Sequence, residues 1–73
     1  MRKTDLSNAS IHRLIQKAGA PRIGDDAVEE VKIILEEVAI KVSREALELS
    51  SHAGRKTVRA GDVRLAVKRL FRE

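Results

Sequence analysis

The stretch Gly24–Ala53, GDDAVEEVKIILEEVAIKVSREALELSSHA, decides the fold. After its opening glycine it contains neither Gly nor Pro, and its apolar residues recur at Val28, Val31, Leu35, Val38, Val42, Ala46, Leu49 and Ala53. At 100° per residue these spacings of three and four gather the eight positions into about 80° of arc, the mark of one uninterrupted amphipathic helix. Such a helix runs about 28 residues, or about 42 Å, more than the width of a small domain. A second apolar line, Ile33, Ile40 and Leu47, follows at sevenfold spacing on roughly the opposite side. Nothing else in a 73-residue chain can cover this rod, so a second copy of the chain is expected to lie against it.

Composition points the same way. The length allows one domain, residues 1–73, and a core of that size is marginal without a staple. There is no cysteine to form a disulfide or a thiolate metal site, which leaves oligomerisation as the route to stability. No run approaches the ~18 apolar residues of a membrane span, and the N-terminus lacks the apolar core of a signal peptide, so a soluble, intracellular protein is expected.

The net charge of +4 is unevenly placed. Residues 1–23 carry five basic and one acidic group, residues 24–50 three and eight, and residues 51–73 seven and two. An acidic middle between basic ends implies a polyanion held by the ends, as nucleic acid would be. Phe71 is the only aromatic residue, which counts against base stacking and so against a single-strand binder, but not against a duplex backbone.

Outward from the central helix, Met1 to Leu6 is polar and expected to fray. Ser7 or Asn8 can cap a first helix whose stripe is Ile11, Leu14, Ile15 and Ala18, with Gly19 as its stop. Gly19 to Ile23 forms a first loop, and Gly24 or Asp25 opens the central helix. Asp25, Asp26, Glu29 and Glu30 suit the positive end of its dipole. Gly54 fits a left-handed stop, and the connector Arg55, Lys56, Thr57 and Val58 leads to a third helix from about Ala60 to Leu70 or Phe71. Val63, Ala66, Val67, Leu70 and Phe71 form the buried side of that helix, and Leu65 points away. The fold class is therefore all-α: short helix, loop, long helix, loop, short helix. In a twofold pair the middle of the long helix crosses its own copy antiparallel, which brings the first loop of one chain beside the second loop of the other. Arg22 then meets Arg55, Lys56, Thr57 and Arg59.

Two blocks carry a resemblance. HAGRKTVRAGDVRLAVKRL, His52 to Leu70, is similar to the second loop and third helix of the archaeal histones, and IHRLIQKAGAPRIGDDA, Ile11 to Ala27, to their first helix and loop. The spacing between the blocks fits without a gap, and the resemblance covers the chain from about Leu6 onward. It implies the histone fold, paired head to tail as an obligate homodimer on double-stranded DNA. It also implies roles for individual residues. Arg22 resembles the minor-groove arginine of the first loop, held by Thr57 of the other chain. Arg55, Lys56 and Arg59 resemble the phosphate contacts of the second loop, and Arg13 a backbone contact near the dimer axis. Arg55 and Asp62 match a pair that ties the second loop to the third helix. Leu49, His52, Asp62 and Leu65 match the surface through which one dimer meets the next, building tetramers or longer stacks. Paralogous histones are implied as further partners, and the chromosome (nucleoid) as the location.

The chain departs from the family at several positions. Gln16 stands where a lysine is frequent, Ser51 where an arginine precedes the histidine, Gly61 where an acid precedes the aspartate, and Gly24 replaces a hydroxyl cap. Ile33 and Ile40 occupy outer positions that are often charged. They are expected either to be buried against a neighbouring helix or to form an apolar seam for side-by-side packing of dimers.

Other function classes fit less well. GRKT lacks the earlier glycine, the glycine at Arg55 and the preceding strand that a nucleotide-phosphate loop needs. His12 and His52, with no cysteine, have no metal-site spacing, and no cofactor is expected. Glu36, Glu37, Glu45 and Glu48 among Lys32, Lys41 and Arg44 read as intrahelical charge pairs and not as an acid–base site. A histone-fold module of transcription-factor type would pair with another protein and bind DNA weakly. A sequence-specific dimeric repressor would reach base edges with a groove-inserted element. An architectural protein that bends and wraps duplex DNA with little sequence preference is the reading the basic loops favour.

Overall fold

A computed structural model describes residues 5–72 and contains three α-helices: α1 (Asn8–Lys17), α2 (Asp25–His52) and α3 (Ala60–Leu70). No strand occurs among the described residues, so the chain is all-α, short–long–short. It divides within α2 into two compact units, one reaching Glu37 and one starting at Val38. Of the polar opening expected to fray, residues 1–4 lie outside the described residues. Asp5 uses its backbone N–H to donate to Glu36 Oε1 at 3.2 Å.

In the first unit, Ser7 caps α1 from an extended conformation, its Oγ accepting the Ser10 N–H at 3.1 Å. A ten-residue helix is marginal alone in water, so it needs an anchor on α2. Ile11 supplies it by burial, 2 % exposed, with Val28 buried in the same unit. Lys32 Nζ adds a polar tie, donating to Asn8 Oδ1 at 2.6 Å. The helix stops at Gly19, whose φ of +96° a side chain would resist. The Gly19 N–H donates to Gln16 O at 2.9 Å. Gly24 opens α2 with its carbonyl, which accepts from Ala27 and Val28 N–H at 3.1 and 3.2 Å. Asp25 and Asp26 fill the first turn, where the helix dipole favours anions.

In the second unit, α3 lies on the C-terminal part of α2. Ala46 and Ala66 are both 0 % exposed, so at these positions each helix hides no more than a methyl group. Arg69 Nη1 reaches Glu45 Oε2 at 3.4 Å, an exposed pair of small energetic weight. The last turn closes with the Phe71 N–H on Val67 O at 3.0 Å.

Much of the apolar surface stays uncovered in a single chain. The side of α3 expected to be buried is covered at Ala66 and half-covered at Leu70, while Val63, Val67 and Phe71 remain exposed. Leu14, Leu35, Ile40 and Leu47 are exposed as well, and Ile33 is half-buried. The reason is geometric: a single neighbouring helix covers one line of a helix surface, and these residues flank that line.

Candidate nucleic-acid interface

The second loop, residues 53–59, is the most tightly constructed piece of irregular backbone among the described residues. Helix α2 ends in a Schellman motif. Gly54, at φ +74°, donates its N–H to Ser51 O at 3.0 Å, and Arg55 N–H returns to Ser50 O at 3.0 Å. Ser50 itself is fully buried. Its Oγ donates forward to the carbonyls of Arg55 and Thr57, each at 3.0 Å.

The other wall of the loop is Asp62, in the first turn of α3 and 7 % exposed. A buried carboxylate needs partners, and it has three. Arg55 Nη2 donates to Oδ1 at 2.7 Å, Arg55 Nη1 to Oδ2 at 2.8 Å, and the Arg59 backbone N–H to Oδ2 at 2.8 Å. The last bond is the return half of a capping box. Arg55 Nη1 also donates to Thr57 O at 3.2 Å. The hydrogen bonds from the Arg55 side chain and the Arg59 N–H, helped by the charges of both arginines, hold the Asp62 carboxyl well below the usual carboxylate range against the opposing effect of burial. In return the Asp62 hydrogen bond and charge raise the Arg55 guanidinium.

The loop therefore turns its carbonyls inward and sends its remaining side chains out. Lys56, Thr57 and Arg59 are exposed and Arg55 is half-buried. The single acid of the loop's wall is already paired. Net positive charge at the surface comes from Lys56 and Arg59, on a backbone that has little freedom to move. A phosphate oxygen is the natural acceptor for such a group.

The other basic residues singled out in the sequence belong to the first unit. Arg13 is exposed on α1, its Nη2 on Ser10 Oγ at 3.5 Å. Arg22 is exposed in the loop between Gly19 and Asp25. Around the end of α2, His52 is exposed and Leu49 half-buried; Leu65 is exposed on α3. A shallow depression along one side of α2 is lined by Leu47, Glu48, Ser51 and His52. Among the described residues no cluster of three or more His, Asp or Glu side chains is placed to hold a metal ion.

Sequence reasoning missed Ser50. A signal was present: a hydroxyl four residues after Ala46, beside the apolar stripe and four residues before the helix-ending Gly54. A polar group in that place needs a buried acceptor.

Comparison with known proteins adds the following. A sequence model of the family described as histone-like transcription factor (CBF/NF-Y) and archaeal histone matches residues 4–67. The chain is 56% identical over 64 residues to the archaeal histone HAN1 of Thermococcus zilligii, covering 88% of this chain and 96% of that one. It is 38% identical, over the same shares, to probable archaeal histone 3 of Methanocaldococcus jannaschii. It is also 36% identical over 64 residues to histone H4 of Dictyostelium discoideum, covering 88% of this chain and 59% of that one.

Proposed function

The chain belongs to the histone-like transcription factor (CBF/NF-Y) and archaeal histone family, and from that premise we propose that it works as an antiparallel homodimer that bends and wraps duplex DNA. At the coarser level it is a histone-fold architectural protein of the chromosome, in a family that packages DNA and pairs histone with histone. No described helix is long and apolar enough to cross a membrane.

The observation that carries the proposal is the second loop. Its inward carbonyls and paired Asp62 leave Lys56, Thr57 and Arg59 exposed on a fixed backbone. In the dimer, Arg22 of one chain joins the second loop of the other, with Thr57 holding the guanidinium at the minor groove. Arg13 contacts the backbone near the dimer axis. Uncovered Leu35, Val63, Val67 and Phe71 supply apolar surface for the pairing, which drives association through the water it releases. Leu49, His52, Asp62 and Leu65 form the contact between dimers. Asp62 enters that contact with one lone pair of Oδ1 to spare, because Arg55 and Arg59 take the rest.

Such binding is set by phosphate neutralisation and groove width, with little reading of base identity. Nuclease digestion of DNA carrying the protein tests it. Wrapping by stacked dimers yields protected lengths at regular increments. A single short footprint at a preferred sequence favours a repressor instead, and tight pairing with another protein accompanied by weak, unprotected DNA contact favours the transcription-factor-type module.

A further inference from the structure

Ser50 stands three residues from the end of α2 and is 0 % exposed. A serine inside a helix ordinarily returns its hydroxyl to the carbonyl four residues back. The hydroxyl of Ser50 goes forward instead, out of its own helix, to Arg55 O and Thr57 O at 3.0 Å each. A hydroxyl has one hydrogen, so the two carbonyls share it, and both peptide planes must aim their oxygens at the same point. The backbone from Arg55 to Thr57 is thereby curled around one buried atom, with the exposed Lys56 at its crest. The backbone of Ser50 holds the same turn a second time, through the Arg55 N–H on its carbonyl at 3.0 Å.

The neighbouring Asp62 does not duplicate this. It fixes the Arg55 side chain and the Arg59 N–H, that is, the far end of the loop and one side chain. Thr57 O has a second donor in Arg55 Nη1 at 3.2 Å. Among the described residues, Arg55 O has only Ser50.

We propose that Ser50 is a positioning residue for DNA contact: its hydroxyl holds the Arg55–Thr57 turn in the conformation that presents Lys56 and Thr57 to duplex phosphates. The assignment rests on the reading of the second loop as a phosphate-contacting element. A residue that merely stabilised the helix end would change how readily the protein unfolds. A positioning residue also changes how many phosphates the folded protein engages.

The test uses Ser50→Ala together with the pair Ser50→Thr and Ser50→Val, which add the same volume and differ in the hydroxyl. Each full-length variant is titrated with a random-sequence duplex over a range of salt, and amide exchange at Lys56 and Thr57 is followed in the free protein. In Ser50→Ala and Ser50→Val, exchange at these two amides accelerates by about tenfold or more. The slope of log K against log salt becomes shallower by about 1–2, the loss of one or two contacts at about 0.9 each per dimer. Ser50→Thr stays near the wild type in both. Unchanged slopes in Ser50→Ala and Ser50→Val overturn the proposal, whatever their melting temperatures, and so does a Ser50→Thr that matches Ser50→Val. If one of the hydroxyl-free variants fails to fold, the other set against Ser50→Thr decides. Failure of the underlying reading is seen in the wild type alone, as duplex binding that does not weaken with salt.

Discussion

Gly54 and Gly61 make a matched pair of substitutions with opposite expected signs. A Cβ at either position meets nothing within 4 Å, so replacement by alanine is free of steric conflict with neighbours, and the outcome is decided by the backbone. Gly54 sits at φ +74°. Holding an L-residue in that left-handed region costs about 1 kcal/mol, and the Schellman motif fixes the angle through the Gly54 and Arg55 N–H bonds. Gly61 lies within the first turn of α3 without a positive φ, where alanine narrows the unfolded ensemble and gains about 0.5 kcal/mol. A dimer carries each change twice and also has twice the unfolding entropy, so the per-chain scale of about 4–8 °C per kcal/mol applies. Gly54→Ala should then lower the midpoint by about 4–8 °C, and Gly61→Ala raise it by about 2–4 °C. Thermal unfolding followed by far-UV circular dichroism, at one total protein concentration because pairing makes the midpoint concentration-dependent, measures both. A Gly54→Ala protein as stable as the wild type, or the two variants moving in the same direction, refutes the reasoning.

Three further outcomes are expected. Ser7→Ala removes the acceptor of the Ser10 N–H and should cost about 1 kcal/mol in urea unfolding; no loss would mean that the cap is not needed to hold α1. Asp62 has a folded pKa below its unfolded value of about 3.9, so its contribution is present above that pH and is lost as pH falls toward the folded value. The stability gap between wild type and Asp62→Asn should accordingly stay constant from neutral pH to about pH 5 and narrow below about pH 4; a gap unchanged at pH 2 would contradict the pairing. Lys56→Ala removes two exposed cations per dimer and should reduce the salt slope of DNA binding by about 1.8, without altering the melting temperature; an unchanged slope would take Lys56 out of the contact.

The helices were legible because each has a local cause. The threefold and fourfold apolar spacing from Val28 to Ala53 requires a helix, and Gly19 and Gly54 both adopt the positive φ expected of helix stops. The Ser7 cap and the start of α3 at Ala60 likewise follow from side chains next to the places where they act. Burial was less legible. Val63, Val67 and Phe71 share an apolar side with Ala66, yet only Ala66 is fully covered within one chain, because sequence periodicity marks what is apolar and not which chain covers it. At the site, the exposed cations could be read directly, since a charged loop residue with no local partner faces water. The role of Ser50 could not: it depends on the loop folding back over the last turns of α2, a tertiary fact with no period and no motif of its own.

The pairing of Arg55 with Asp62 separates two properties that a run of basic residues otherwise confounds. Arginine has five N–H donors. Arg55 gives three of them to Asp62 Oδ1, Asp62 Oδ2 and Thr57 O, which leaves two for a phosphate. Its charge, however, is already matched by a buried carboxylate, so a phosphate bound there displaces fewer counterions than one bound at Lys56 or Arg59. Arg55 therefore contributes to the shape of the interface more than to its salt dependence. Removing it would leave Asp62 buried without its main partner and free the backbone at Thr57. The loss of affinity would come from a loosened loop and an unpaired anion beside the DNA. The salt slope per intact loop is thus carried by Lys56 and Arg59, the residues whose charge has no internal partner to satisfy.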